Sequence, residues 1–106
     1  MKAKSVKIVE GSGYVECRKE DATHLQLNIP GPTGVITLPV ITSGSRLDTG
    51  AWTWNGSLEA PTLRPSVLTN GHDFRCHSWI NDGAAQFLAD CSHNMAGTTV
   101  ELLESI

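Results

Sequence analysis

The sequence contains no hydrophobic run that approaches the roughly 20 residues of a membrane-spanning helix. Its first residues lack the apolar stretch and the small-residue cleavage site of a secretory signal. Positive charge is scarce as well, because eight lysine and arginine residues stand against eleven aspartate and glutamate residues. These absences predict a soluble cytoplasmic protein that does not bind membranes and is poorly suited to nucleic acid.

Standard catalytic and metal-binding motifs are missing too. The chain has no nucleophile elbow, no phosphate-binding loop and no HExxH motif. Its three cysteines cannot all pair with one another, and none of them belongs to a CxxC motif. Because a reducing cytosol keeps thiols free, the cysteines are either small buried residues or metal ligands.

No stretch of eleven or more residues shows helical spacing of apolar residues, whereas short alternating segments recur between turn residues. We therefore predict an all-β protein in which residues 1–106 form one small domain, a twisted antiparallel sheet folded into a sandwich or a partial barrel. The predicted strands cover residues 5–10, 14–17, 24–29, 35–41, 51–54, 73–81, 84–91 and 98–103, with a loop over 42–50, an edge segment over 61–65 and two-residue turns at 55–56 and 82–83.

The hairpin around Asp82 and Gly83 is the clearest local signal. A two-residue turn at this position gives one almost entirely apolar face, whereas a three-residue loop would mix polar and apolar side chains on both faces. In the two-residue register, Cys76 and Cys91 are diagonal neighbours on the apolar face. Both cysteines are therefore predicted to point into the core.

The opposite, outward face of this hairpin carries the candidate binding residues Arg75, His77, Trp79 and Asp90. Asp90 is directly across from Arg75 and diagonal to His77. A carboxylate this close favours protonated histidine and can orient its ring. The alternative is an exposed ion pair that contributes about 0.2 to 1 kcal/mol to stability and has no other role.

Cysteine and histidine side chains supply the candidate metal ligands. Cys91 and His93 are separated by one residue and suit a pair of ligands from one turn, whereas Cys76 and His77 point to opposite faces. A metal that binds only the folded chain would stabilise a core with few aromatic residues. A zinc site and simple packing of thiols both remain open. The candidates are Cys17, His24, His72, Cys76, His77, Cys91 and His93.

Four motifs in the second half of the chain resemble a family of uncharacterised small proteins from phages, prophages and bacterial defence loci. They are Trp-Thr-Trp-Asn-Gly at 52–56, Pro-Thr-Leu-Arg-Pro-Ser at 61–66, Cys-His-Ser-Trp-Ile-Asn-Asp-Gly at 76–83 and Asp-Cys-Ser-His-Asn-Met-Ala-Gly-Thr-Thr-Val at 90–100. The resemblance spans mainly residues 51–102. Some members carry the label ammonia monooxygenase, which nothing in this chain supports.

The same family has a Cys-Pro-x-Cys knuckle and a following histidine in its N-terminal half, which implies zinc. In this chain the knuckle is reduced to Cys17, with His24 in the later position, so one expected ligand is missing. The resemblance therefore implies either a rearranged zinc site or the loss of the metal. The rearranged site would consist of Cys17, Cys76, Cys91 and His93.

Three functions follow from these observations. The resemblance and the small acidic chain favour a phage-type accessory protein, a non-enzymatic module that binds a host or defence-system protein through residues such as Arg75 and Trp79. An exposed edge strand would also allow two copies to pair. A zinc-ribbon-like nucleic-acid binder is opposed by the net charge, because Lys2, Lys4 and Lys7 form the only basic cluster.

The remaining alternative is a small hydrolase that depends on a metal or on cysteine and histidine. It would use His77, Asp90 and His93 together with a metal-bound water, or with Cys91 as the nucleophile. Such an enzyme requires an open metal position, or a thiolate activated by a base in a cleft.

Overall fold

The computed structural model describes residues 1–41 and 50–105, so most of the loop predicted over 42–50 lies outside the described residues. The described chain is built from β-strands and one short 3-10 helix, as the alternating sequence pattern predicted. The elements are β1 (Ala3–Val9), β2 (Gly13–Glu16), the 3-10 helix (Lys19–Asp21), β3 (His24–Ile29), β4 (Gly34–Ile41), β5 (Trp52–Trp54), β6 (Leu63–Arg64), β7 (Val67–Asn70), β8 (Arg75–Asn81), β9 (Ala84–Phe87) and β10 (Thr99–Glu101).

These strands form two sheets. The first has the order β2-β1-β3-β4-β5-β6, and the second has the order β10-β9-β8-β7. Neighbouring strands are antiparallel except β4 and β5, which are parallel. The proline-flanked segment that was predicted to be an edge forms β6, the last strand of the first sheet.

One hydrophobic core lies between the sheets. Alternate residues of β3 (Leu25, Leu27 and Ile29) enter it from the first sheet, and Ile80 and Phe87 enter it from the second. The alternating residues of β3, His24, Gln26 and Asn28, are only partly buried. In the described residues, no helix is long and apolar enough to cross a bilayer.

The central hairpin has the predicted register from Asn81 opposite Ala84 to Ser78 opposite Phe87. The prediction that the second strand continues to residue 91 was wrong, because β9 ends at Phe87 and the chain then turns, with the Cys91 N–H bonded to the Leu88 carbonyl. The turn residues of the hairpin, Asp82 and Gly83, both have positive φ, 51° and 80°, as a two-residue hairpin turn of this kind requires. The register therefore places the side chains of β8 as the alternating pattern predicted.

The two-residue turn predicted at Asn55 and Gly56 was wrong. Gly56 has a φ of 81°, but Asn55 is not among the described residues with positive φ. The Asn55 side chain instead accepts hydrogen bonds from the backbone N–H groups of Ser57 and Thr62. These bonds stabilise a wider loop than a two-residue turn.

Candidate functional site

Ser66 lies in the short connection that carries the chain from β6 in the first sheet to β7 in the second. Its hydroxyl oxygen is 2.8 Å from Nε2 of His77, which is on β8. The other ring nitrogen of His77, Nδ1, is 3.0 Å from Oδ2 and 3.2 Å from Oδ1 of Asp90. The three side chains therefore form one continuous series of hydrogen bonds.

The pairing of β7 with β8 explains why Ser66 and His77 meet. Leu68 is directly opposite His77 in this pair. Because side chains alternate between the two faces of a strand, Ser66, Leu68 and His77 share the outer face of the second sheet, and Ser66 is diagonal to His77. Asp90 follows β9 and reaches the same face, where its side chain is 43% exposed and that of His77 is 23% exposed.

Asp90 is also bound by Arg75, the first residue of β8. Oδ2 of Asp90 accepts hydrogen bonds from Nε of Arg75 at 3.1 Å and from Nη2 at 2.9 Å. The hydrogen bonds from His77 and from Arg75 hold the pKa of Asp90 below its usual range. Asp90 is therefore a carboxylate at neutral pH.

The Asp90 carboxylate determines which nitrogen of a neutral His77 ring carries the proton. An ionised carboxylate can only accept hydrogen bonds, so it receives one from Nδ1–H of His77. In the neutral ring, this bond leaves Nε2 without a proton and facing the Ser66 hydroxyl. An activated serine nucleophile has this arrangement: its hydroxyl lies beside an unprotonated histidine nitrogen, and a carboxylate holds the histidine ring in place.

Two further features surround the Ser66 main chain. The Ser66 carbonyl accepts a hydrogen bond of 3.3 Å from the indole N–H of Trp52. The Ser66 N–H forms no hydrogen bond with any group in the described part of the chain. Next to this segment is a cavity of about 320 Å³, lined by Gly50, Ala51, Trp52 and Pro65.

Cys76, Cys91 and His93 form a second group of polar side chains. Each offers one ligand atom, and these atoms lie within 4.8 Å of one another. Both cysteines are buried, and burial raises the pKa of the Cys76 thiol. Nε2 of His93 is buried without a hydrogen-bond partner in the described chain. Ligands of a tetrahedral zinc ion lie roughly 3.5 to 4 Å apart, so the three side chains could hold a metal ion after small shifts.

Cys17, the fourth ligand that the resemblance implied, is not part of this group in the described residues. It follows β2, and its carbonyl accepts a hydrogen bond from the Ser5 hydroxyl. The thiol is partly buried, and burial raises the pKa of Cys17 as well. Three of the four residues predicted to share a metal are therefore close together, and Cys17 is not with them.

The four predicted binding residues are only partly brought together. Arg75 and His77 both contact Asp90, as predicted, but Asp90 reaches them from the turn after β9 and not from the strand position opposite Arg75 that the predicted register gave it. Trp79 lies on the same face of β8, but its ring stacks under the Arg64 guanidinium at 5.1 Å. Whether any of these residues binds a partner stays a prediction.

Cys91 was one of the two nucleophiles that the hydrolase alternative allowed, beside a metal-bound water, and its geometry does not suit that role. Its sulfur accepts a hydrogen bond of 3.2 Å from the His77 backbone N–H and donates one of 3.1 Å to the His77 carbonyl. Cys91 therefore faces the main chain of His77 and not the ring. His93, which the same alternative placed beside His77, lies with the cysteines.

Sequence reasoning did not identify Ser66. No recognised nucleophile motif surrounds it, and β7 is too short to be predicted from alternation. Without β7, nothing in the sequence aligned Ser66 with His77. The only available signal was its position at the end of the proline-flanked motif that carries the resemblance.

Residues 4–88 match the model of a protein family described as "Bacterial ubiquitination-like system serine protease (BubE)". The matched range is more than half of the chain, contains Ser66 and His77, and ends two residues before Asp90. No curated protein and no solved structure matches the chain.

This match corrects the main functional prediction. The family description names a protease, so the prediction of a non-enzymatic binding module was wrong, and the hydrolase alternative agrees better with the finding. The resemblance to a family of bacterial defence loci is supported in part, because the match says nothing about phages or a zinc knuckle.

Proposed function

The chain belongs to the BubE family of bacterial serine proteases, and we propose that it hydrolyses peptide bonds with Ser66 as the nucleophile. His77 acts first as general base and then as general acid. Asp90 is a positioning residue, because it touches His77 and not the reacting atoms. The observation that carries this proposal is the series of contacts from Ser66 to His77 at 2.8 Å and from His77 to Asp90 at 3.0 Å.

In the first half of the reaction, Nε2 of His77 takes the proton of the Ser66 hydroxyl as Oγ attacks the carbonyl carbon of the substrate. The ring then carries a positive charge, which the Asp90 carboxylate stabilises through Nδ1–H. As the tetrahedral intermediate breaks down, His77 gives the proton to the leaving amine. The acyl group remains bound to Oγ of Ser66 as an ester.

In the second half of the reaction, water replaces the amine. His77 removes one proton from the water molecule, whose oxygen attacks the ester carbonyl, and then returns the proton to Oγ of Ser66. The products are a carboxylic acid and a free enzyme, so that one peptide bond and one water molecule are consumed in each cycle.

The developing negative charge on the carbonyl oxygen requires hydrogen-bond donors. The Ser66 N–H belongs to the nucleophile itself and has no partner in the described residues, which makes it the first candidate. A donor of this kind contributes roughly 10²- to 10³-fold to the rate in serine proteases.

The family description also suggests the context of the reaction. It places the protease in a bacterial ubiquitination-like system. We propose that the substrate is a protein of such a system. The open position of the site on an outer sheet face supports a macromolecular substrate, because a small molecule would be poorly enclosed there.

The experiment that tests the proposed function uses a mixture of peptides made by digesting a bacterial protein extract. The purified chain is added, and new peptide termini are identified by mass spectrometry. Wild type is expected to create new termini, and Ser66→Ala and His77→Ala are expected to create fewer by at least about 10³-fold. Ser12→Ala, which changes an exposed turn serine, is the matched control and should cleave as wild type does.

Two results of this experiment contradict the proposal. One is cleavage by Ser66→Ala at the rate of wild type. The other is the absence of new termini with wild type.

We also propose that Cys76, Cys91 and His93 hold a zinc ion with a structural role. The proposal is supported by the spacing of the three ligand atoms, by the burial of both thiols and by the unpartnered Nε2 of His93. When bound, zinc would supply a cross-link between the start of β8 and the segment after β9. It takes no part in the hydrolytic steps.

Metal analysis of the protein purified under reducing conditions tests the zinc site. We expect one zinc ion per chain in wild type and in Cys17→Ser, because Cys17 lies outside the group. Cys76→Ser should lose most of the metal. Wild type without stoichiometric zinc would contradict the proposal, as would equal loss in both variants.

A further inference from the structure

β7 is an edge strand of the second sheet and begins directly after Ser66. It pairs with β8 on one side, and no strand in the described residues pairs with its other side. A free strand edge presents N–H and C=O groups that can bind one further strand. The edge of β7 therefore lies where a substrate of Ser66 would have to pass.

The hydrogen bonds of His77 determine which groups of β7 face this edge. The His77 N–H donates to Cys91, and its carbonyl accepts from the N–H of Leu88 at 2.9 Å, so both groups of His77 point away from β7. In an antiparallel pair, residues directly opposite either bond to each other through both groups or turn both groups outward. Leu68, opposite His77, therefore directs its N–H and C=O to the free edge.

The same edge continues to the nucleophile. Ser66 precedes Leu68 by two residues, so its main-chain groups point in the same direction. The contact between the Ser66 carbonyl and the Trp52 indole agrees with this direction. Trp52 and Pro65 also line the cavity of about 320 Å³, whose described lining consists of glycine and apolar residues.

We propose that the substrate is an extended polypeptide segment that pairs as an additional strand with the outward N–H and C=O of Leu68. The inference rests on the proposed hydrolysis at Ser66. In this arrangement a peptide bond of the segment lies at the Ser66 hydroxyl, and an apolar side chain of the segment enters the cavity at Trp52 and Pro65. The exposed Leu68 side chain, 45% accessible on the outer face, contacts the next side chain of the segment.

The chemistry of the edge favours this occupant over a folded domain. Main-chain pairing needs a segment whose own N–H and C=O groups are free, which is the state of a flexible tail or linker. Such pairing gives affinity without requiring one sequence, whereas the apolar cavity selects one side chain. The site would therefore cleave unstructured segments with an apolar residue at a fixed distance from the cleaved bond.

Removal of the Leu68 N–H is the direct test. Leu68→Pro deletes this donor, and because the N–H does not bond to β8, the β7–β8 ladder is retained. With the peptide mixture, kcat/KM is expected to fall about tenfold or more, since an active-site hydrogen bond is lost. Leu68→Ala keeps the N–H and should lose less than about threefold. Cleavage by Leu68→Pro at the wild-type rate would overturn the proposal.

Hydrogen exchange provides a second measurement that does not depend on the folding of a proline variant. In Ser66→Ala, the Leu68 amide should exchange quickly in the free protein and at least tenfold more slowly with a bound peptide that wild type cleaves. The Val67 amide, which faces β8, is the internal control and should change little. Unchanged exchange of the Leu68 amide at saturating peptide would contradict strand addition.

Two readouts separate this inference from the proposed function. Diisopropyl fluorophosphate reacts with activated serines without needing a peptide. If it fails to modify Ser66, or if wild type cleaves no peptide, the proposed function fails. If it modifies Ser66 and wild type cleaves peptides without an apolar residue at a fixed position, the inference about the substrate fails and the proposed function stands.

Discussion

His77 and Asp90 are 13 residues apart in the chain, and Nδ1 of His77 lies 3.0 Å from Oδ2 of Asp90. The turn after β9 creates this contact, because it brings Asp90 to the face that His77 occupies on β8. The contact fixes the ring so that its other nitrogen faces Ser66.

Replacement of Asp90 by asparagine should abolish most of the activity. The amide of the new side chain could donate a hydrogen bond to Nδ1 of His77, which would favour the tautomer with a proton on Nε2 and prevent it from accepting the Ser66 proton. We expect kcat to fall by about 10³- to 10⁴-fold, with KM changed less than about threefold. Asp73→Asn alters an exposed carboxylate in the β7–β8 connection and should retain wild-type kcat. Equal kcat values for the two variants would contradict the role of Asp90.

The stability of the fold should depend on the ionisation of Asp90. Its pKa in the folded protein lies below the ordinary value of 3.8, so its ionised form stabilises the fold above that pH. This contribution is lost as the pH falls through the folded pKa. We therefore expect the Tm difference between wild type and Asp90→Asn to shrink as the pH is lowered below about 4. A difference that does not shrink below about pH 4 would disagree with the depressed pKa.

Phe87 should be one of the most sensitive core positions. Its side chain is 2% exposed, and its ring meets the His93 imidazole edge to face at 5.0 Å. Phe87→Ala is expected to lower the free energy of unfolding by about 3 to 5 kcal/mol, because it leaves a cavity between the sheets. Leu103→Ala removes a side chain that is 50% exposed and should cost less than about 0.5 kcal/mol. Chemical denaturation of both variants measures the difference.

Removal of the metal should reduce activity as well as stability. Cys76 precedes His77 and Cys91 follows Asp90, so two of the proposed ligands adjoin residues of the hydrogen-bonded series. A strong chelator is therefore expected to lower both Tm and kcat, and added zinc should restore both. The Cys91→Ser variant lacks one proposed ligand, so the chelator should change its Tm and kcat little. A chelator that leaves the Tm of wild type unchanged would argue against the zinc site.

The sequence was sufficient to predict the hairpin and the face that carries His77. Its turn residues and the alternation of apolar residues allow one register, which places His77 on the outer face of β8 and Cys76 on the buried face. The contacts of Asp90 with Arg75 and His77 were predicted from a longer strand, but Asp90 makes them from the turn that follows β9. The sequence pattern did not show that β9 ends at Phe87.

The nucleophile could not be predicted in this way. Ser66 comes from a connection between two sheets, and its approach to His77 depends on a four-residue strand that the sequence pattern did not reveal. The function was predicted as binding from the resemblance and from the small acidic chain, and His77 with Asp90 had the alternative interpretation of an exposed ion pair. Cys17 was grouped with the other cysteines by the resemblance alone, and the fold places it elsewhere.

The role of Ser66 as the nucleophile is tested most directly by treating the intact protein with diisopropyl fluorophosphate and locating the adduct by peptide mass spectrometry. We predict one adduct per chain, on Ser66, that is absent in Ser66→Ala and forms at least 100-fold more slowly in His77→Ala. Unchanged labelling in Ser12→Ala would confirm that the reaction is specific to the activated serine. An adduct on another residue, or no adduct on the folded wild-type protein, would contradict the central claim that Ser66 is the nucleophile.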